Sequence, residues 1–401
     1  MKSKKENSWN KAYPGLIAFI LLLAIFFNPK DSFQAALSGL NIFLQSVFPA
    51  LLPFFIISEI VIGLGMVDFI SELLTPVMIP VFRCPGSSSF VWIMSITSGY
   101  PSGARLTAEL YNQKKINTIE AQRILSFCST SGPLFMISAV GIGMMGSAEG
   151  GRIILIAHFI AAILTGLLFR FYRSRGTGKS SSNRNPSQTY LQNSRNTKHQ
   201  NTGFKQGLDA LVSARKKDGR PFGQLMGDAV RNSVNTLMVV GGFIILFSVL
   251  IALLMQFIDH PWIKVLVGGF FEVTTGCKLI SDSPLSMQTK LAVASFFIGW
   301  SGFSILAQSA SLLSGTGVKM SIFMFGKFIH GLLSAALSIP VGRLLYPKAL
   351  EASVPPPPIT FPMWKNVLHN SIHLIFIALV LIFILVITGR IVIWVRKKAV
   401  D

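Results

Sequence analysis

Two short segments bring hydroxyls, glycines and a cation together inside otherwise apolar sequence. They are Ser98-Gly99-Tyr100-Pro101-Ser102-Gly103-Ala104-Arg105 and Phe271-Glu272-Val273-Thr274-Thr275-Gly276-Cys277-Lys278. In the first, the glycines allow positive φ and close backbone approach, and the proline removes an N–H donor. At the tip of a hairpin at membrane depth, the freed N–H groups of the next half-helix would join Ser102, Gly103 and Arg105 as a site for an anion. At the surface, the same run is an ordinary cytoplasmic turn whose arginine meets lipid headgroups. In the second segment Thr274, Thr275, Gly276 and Lys278 lie beside Glu272. A charge at bilayer depth costs about 2.5 to 3.5 kcal/mol on insertion scales, so it usually faces a cavity or a partner. Glu272 is thus a candidate for pairing with a cation or for coupling and gating, the alternative being an exposed hairpin end.

Ser129-Thr130-Ser131-Gly132-Pro133 and Ser301-Gly302-Phe303-Ser304 each interrupt a longer hydrophobic segment. Gly followed by Pro breaks the helical ladder, and nearby hydroxyls can satisfy backbone groups or a ligand. Ser131, Gly132, Ser301 and Gly302 are therefore candidates for substrate contact, with plain kinks as the alternative. Glu59, the sole charge between Gln45 and Met66, is a second coupling or gating candidate, and Arg123 is one partner for it. His158, Lys327 and His330 read as packing contacts between the later helices, and Gln308 decides nothing. The sequence holds no P-loop, no HExxH, no G-x-S-x-G and no Cys/His metal spacing. The expectation is a protein that is no enzyme and uses no cofactor or metal.

The elements that must position these residues follow from composition. The 401 residues are 51% hydrophobic and 13% charged, with a mean hydropathy of +0.57, too apolar for an ordinary soluble enzyme. Runs that can span a hydrocarbon layer roughly 30 Å thick are Pro14 to Phe27, Gln45 to Met66, Ile119 to Met145, Ile153 to Phe171, Ser233 to Phe257, Leu291 to Leu313, Ser321 to Leu345 and Val367 to Trp394. Asp68 to Phe82 reaches only about 22 Å as a helix. It contains Pro76 and Pro80, and together with Phe90 to Thr97 it is expected to form a re-entrant hairpin. Trp262 to Leu279 is expected to form a second. The fold class is thus an all-α polytopic membrane protein with about eight transmembrane helices and two re-entrant hairpins.

The net charge of +20 resembles that of a nucleic-acid binder until the charges are located. Lys2, Lys4, Lys5 and Lys11 against Glu6 leave +3 at the start. Arg390, Arg396, Lys397 and Lys398 against Asp401 leave +3 at the end. Thirteen basic residues from Arg170 to Arg231 against Asp209, Asp218 and Asp228 leave +10 between them. Sixteen of the twenty net charges therefore lie in three segments outside the apolar runs, the distribution of cytoplasmic ends and loops. The implied partner is the lipid bilayer and not nucleic acid. The stretch Arg173 to Asp218 is expected to be a disordered cytoplasmic linker, and the four prolines from Pro355 to Pro358 an extended connector. Cys84, Cys128 and Cys277 suggest no disulfide framework.

The chain also repeats itself. Ser102-Gly103-Ala104-Arg105-Leu106 falls on Thr275-Gly276-Cys277-Lys278-Leu279 at an offset of 173 residues. Ser131-Gly132 falls on Ser301-Gly302 at 170, and Phe159-Ile160 on Phe328-Ile329 at 169. Each half contributes three crossings, an odd number, so the halves are expected to be inverted repeats with both termini cytoplasmic. Solute is bound where such repeats meet in many secondary transporters. The resulting division is an N-terminal anchor and connector (1–38), a first repeat (39–172), the basic linker (173–231), a second repeat (232–346) and a proline-rich connector with a last transmembrane helix (347–401).

With Gly99-Tyr100-Pro101-Ser102-Gly103, Glu272-Val273-Thr274-Thr275-Gly276 and the two Ser-Gly breaks, the chain from about residue 40 to 345 resembles the YlbJ, or SpoVV, family of sporulation integral membrane proteins. The linker from Arg173 to Asp218 is its least family-like part. The resemblance implies two nucleoside-recognition gate domains and kinship with concentrative nucleoside transporters. It also implies export of dipicolinic acid from the mother cell across the outer forespore membrane, with a multi-pass protein in the cell membrane before that. Dipicolinate is a planar aromatic dianion at neutral pH. Arg105 and Lys278, at matching points of the repeats, are expected to take one carboxylate each. A nucleoside or other small-solute carrier and a non-transporting sporulation scaffold remain alternatives. Coupling ion and any homo-oligomeric state are left open.

Overall fold

The computed structural model describes residues 9–173 and 203–347, and all regular structure among them is helical. Helix α1 (Trp9–Phe27) meets α2 (Pro29–Ile42) at a bend of 105°, where Pro29 occupies the first turn of α2 and has no N–H to continue the earlier ladder. A π-helical turn, Phe43–Val47, leads into α3 (Phe48–Gly63). Gly65, at φ +82°, then turns the chain by 82° into α4 (Met66–Phe82). α4 is one helix despite Pro76 and Pro80. It packs against the next helix, α5 (Ser87–Ser98), which holds Phe90 to Thr97.

α5 and α6 (Ser102–Asn112) in turn form a hairpin around the tip Gly99-Tyr100-Pro101. Next come α7 (Thr118–Cys128), an irregular stretch at Ser129–Gly132, a π-helix at Phe135–Met144 and α8 (Ala148–Phe169). The start of α7 is set by a reciprocal capping box, in which the Asn117 side chain accepts from Glu120 N–H at 2.9 Å and Asn117 N–H donates to Glu120 at 3.0 Å. After α9 (Gly203–Asp218) and α10 (Phe222–Met255), the same succession recurs. Short helices α11 (Pro261–Phe271) and α12 (Val273–Ser281) form a second hairpin. α13 (Met287–Trp300), a break at Ser301 and α14 (Gly302–Leu312) form a second broken helix, and α15 (Met320–Leu345) closes the half.

Apolar cores join the two halves crosswise. Met136, Ile137 and Val140 of the first half pack with Val273, Cys277 and Phe297 of the second. Ala104 and Ala108 of α6 pack in turn with Trp300, Leu306 and Phe323. Each hairpin's second arm thus rests on the broken helix of the other half. α8 and α15 lie side by side, and a Cβ at Gly299 of α13 would sit 2.5 Å from Gly331 Cα of α15.

α8, α10, the α13–α14 pair and α15 are long and apolar enough to cross a membrane; counting α1–α2 and α3–α4 as one bent span each gives six. The described residues therefore carry four to six such spans, against seven of the expected eight that fall within them. Two expected spans are halves of bent pairs, and Ile119 to Met145 is interrupted at Ser129–Gly132. Val367 to Trp394, like the proline run and the basic tail, lies outside the described residues.

The linker differs from expectation too, because its last third is helical. In α9, Gly207, Leu211 and Ala214 share a face against α4, where a Cβ on Gly65 would lie 2.7 Å from the Leu211 carbonyl, and Phe204 meets Phe69 edge to face at 5.5 Å. At the turn into α10, Arg220 donates to Asp218 at 2.7 Å and Asp228 at 3.0 Å. This hydrogen-bonded guanidinium holds the Asp218 carboxyl below the usual carboxylate range.

Candidate functional site

The first tip is stitched to the first break. Gly99 takes φ +77° and ends α5, its N–H donating to Ser95 O at 2.9 Å, and the Tyr100–Pro101 peptide is cis. The Ser95 hydroxyl donates to Cys128 O and lies 3.2 Å from the Thr130 hydroxyl, while Thr130 Oγ1 donates back to Ser95 O at 3.2 Å. Breaking the helix after Cys128 frees backbone groups that need partners in an apolar surrounding. Two come from distant helices. Ser131 N–H donates to His158 Nε2 on α8 at 3.0 Å, and Lys327 Nζ on α15 donates to Ser129 O at 2.6 Å. His330 Nε2 lies 3.0 Å from His158 O, with the two imidazoles 4.4 Å apart. His158, Lys327 and His330 are fully buried.

The second tip uses a carboxylate where the first uses a glycine turn. Glu272 is extended at φ −147° and caps α12, its oxygens accepting from Thr274 N–H at 2.9 Å, Thr275 N–H at 2.7 Å and the Thr275 hydroxyl at 2.9 Å. Anionic oxygen at a helix N-terminus satisfies its orphan donors and its dipole together. The second break is a left-handed residue, Ser301 at φ +77°, followed by Gly302. Gly302 approaches the second tip so closely that a Cβ there would lie 3.0 Å from Phe271 O.

A cavity of about 970 Å³ lies between these parts. Gly99, Tyr100 and Pro101 form one wall with Ser131 and Gly132, and Glu272, Thr274 and Thr275 form the facing one. Ser304 and Gln308 of α14 add a hydroxyl and a carboxamide, while α2, α3 and α10 close the remaining side with mostly apolar residues. Gln308 is almost wholly buried; its Nε2 donates to Ser304 at 3.3 Å, and its Oε1 has no hydrogen-bond partner. Among the described residues in the lining, Glu272 is the one carboxylate, and none is lysine or arginine.

Of the residues singled out in the sequence, Ser131, Gly132, Glu272, Thr274 and Thr275 line the cavity together. The others do not. Ser102 folds back on the tip, its hydroxyl donating to Gly99 O, and Gly103 lets α6 approach the Cys128 carbonyl. Gly276 does the same against Gly269, and Ser301 with Gly302 shapes the bend behind the wall. Arg105 is ion-paired with Glu59, which takes the place expected for Arg123, and stacks over Phe55 at 4.9 Å. Arg123 instead donates to the carbonyls of Arg83 and Tyr172. Lys278 is 61% exposed and pairs with Asp282 at 2.9 Å. The structure thus does not bring Arg105 and Lys278 to the cavity. Sequence reasoning gave Tyr100 no role of its own, left Gln308 undecided and read Lys327, His330 and His158 as packing contacts between the later helices. The available signal was that each is a polar group in an apolar helix or tip whose cost of burial demands a partner.

Long apolar helices, paired hairpins and broken helices around a shared cavity define a multi-pass helical membrane protein with a gate-type site. A family model described as "Gate: Nucleoside recognition" matches residues 44–148, which contain the first tip and break. The sporulation integral membrane protein YlbJ of Bacillus subtilis (strain 168) is 37% identical over 353 residues, covering 81% of this chain and 83% of that protein. The chain belongs to the YlbJ family of sporulation integral membrane proteins. No solved structure matches it.

Proposed function

We propose that the protein is a secondary-type carrier that moves a small, ring-bearing organic acid across a membrane during sporulation, with dipicolinate as the substrate. Binding and release, without covalent chemistry, make up its cycle. The observation that carries this is the cavity itself: both hairpin tips and the first helix break present polar groups to one space, the arrangement that lets solute binding be felt by both halves of a carrier. Its walls suit a planar ring. Tyr100 and the apolar side chains cover the faces, while the hydroxyls of Ser131 and Thr274 and the Gln308 carboxamide are available to substituents at the edge. Membership of a sporulation family supports the setting, in which the protein exports dipicolinate from the mother cell across the outer forespore membrane. The two halves then lie inverted in the bilayer with both termini on the mother-cell side.

A nucleoside carrier is the second reading, favoured by the gate-domain match and by a lining that holds one carboxylate and no lysine or arginine. Purified protein in liposomes decides between them when uptake of dipicolinate and of uridine is followed with and without sodium and proton gradients. Saturable dipicolinate uptake that excess uridine leaves unchanged is the expected result. Saturable uridine uptake alone overturns the substrate, and neither uptake overturns the carrier.

A further inference from the structure

A dianion in this cavity needs positive charge, and the lining residues provide none. We propose that Lys327, one layer behind the wall, is the specificity-determining cation that makes the cavity select anions; this rests on the carrier reading above. Lys327 Nζ is fully buried, is held by the Ser129 carbonyl at 2.6 Å and lies 5.8 Å from the centroid of the Tyr100 ring, whose residue lines the cavity. No carboxylate among the described residues forms an ion pair with it. The acids of this region are placed otherwise, with Glu59 on Arg105 and Glu272 on the backbone and hydroxyl of α12. The titratable groups around Lys327 are Tyr100, His330 and His158. His158 accepts the Ser131 N–H through Nε2, so that nitrogen carries no proton and the ring is neutral. No side-chain carboxylate compensates Lys327, so an anion bound beyond the Tyr100 ring would supply the opposite charge that favours its ammonium form, and the two would attract strongly in a low-dielectric surrounding.

The anchor of Lys327 gives this charge a second role. Ser129 begins the break that continues into Ser131 and Gly132 of the cavity wall. An anion on the wall and the ammonium behind it therefore bear on the same four-residue stretch, and binding is transmitted to α15. Arg105 and Lys278 lack this relation, one being neutralised by Glu59 and the other exposed at 61%.

The test uses full-length protein and a matched pair of probes, dipicolinate and its uncharged analogue pyridine-2,6-dicarboxamide. Lys327→Gln keeps a donor for the Ser129 carbonyl and removes the charge. The expected result is dipicolinate affinity lowered about tenfold or more with diamide affinity within twofold of the parent. Lys327→Met, which removes the donor as well, should show the same split. If Gln restores dipicolinate binding that Met loses, the hydrogen bond and not the charge matters, and the inference is overturned. It is also overturned if dipicolinate binds the Gln variant as well as the parent, or if both probes weaken together. Parent protein that binds neither probe overturns the carrier reading and this inference with it. Should both variants fail to accumulate, the parent alone decides: binding the diamide as tightly as dipicolinate refutes an anion-selecting charge.

Discussion

The two helix breaks occupy matching places in the chain and are held in different ways. At Cys128–Gly132, backbone groups are taken by side chains from three other elements: Ser95 of α5, His158 of α8 and Lys327 of α15. At Ser301 the bend is local, made by two successive left-handed residues, Ser301 and Gly302, and the Ser301 N–H still reaches Phe297 O at 2.8 Å. The tips differ in the same sense. The first is a turn of Gly, Tyr and Pro stitched to the neighbouring break, whereas the second carries its own carboxylate cap. A locally satisfied break keeps its shape whatever its neighbours do. A break whose partners sit on other helices changes when those helices move, and it is this one that supplies Ser131 and Gly132 to the cavity wall. The first half is thus built to respond, and the second to hold.

The largest effect should come from Gly103, which matches Gly276 at the 173-residue offset. A Cβ at Gly103 would run into the Cys128 carbonyl, so Gly103→Val must displace backbone at the first break. The expected cost is more than about 4 kcal/mol, seen as loss of monodisperse protein in size-exclusion chromatography. Gly103→Val that purifies normally would show the first break to be looser than its contacts indicate. Next is His158→Leu, which keeps apolar bulk but leaves the Ser131 N–H buried without its acceptor. It should lower stability by about 1–3 kcal/mol and speed hydrogen exchange at the Ser131 amide, while amides around Ser301 keep their protection. Equal acceleration at both breaks would erase the contrast between them.

Much of this contrast was visible before the fold. The offsets of 173 and 170 residues locate both tips and both breaks, because glycine and hydroxyl residues are needed wherever a buried helix stops. The partners of those breaks were hidden, since Lys327 and Ser129 lie 198 residues apart and only tertiary packing joins them. Arg105 and Lys278 match in sequence, yet a nearby acid claims each one, Glu59 from α3 and Asp282 one turn along α12's own chain. α4 runs as one helix through Pro76 and Pro80 and packs against α5 and α9. The helical part of the linker was lost in a polar composition, as its buried face consists of Gly207, Leu211 and Ala214, residues that a search for large apolar side chains overlooks.

Smaller effects test the second half. Glu272→Ala removes the acceptor for two N–H groups and a hydroxyl and should cost about 1 kcal/mol, the usual value of an N-cap. Because the cap is local, the loss should appear as faster exchange within α12 and leave the Ser131 amide unchanged. Exchange that spreads to Ser131 would mean that the two tips stabilise each other across the cavity.

Ser301→Gly should have the smallest effect, and its sign is informative. Serine at φ +77° carries a left-handed penalty of roughly 1–2 kcal/mol that glycine does not. Against that stands the greater unfolded-state entropy of glycine, about 0.4–1 kcal/mol. The Ser301 hydroxyl is buried and unpartnered, so its removal forfeits no hydrogen bond. The balance lies between about zero and a gain of about 1.6 kcal/mol, read as a rise in the thermal unfolding midpoint with transport rate unchanged. A variant that is destabilised, or that transports at a different rate, would show that this hydroxyl takes part in gating and that the second break is not merely a fixed bend.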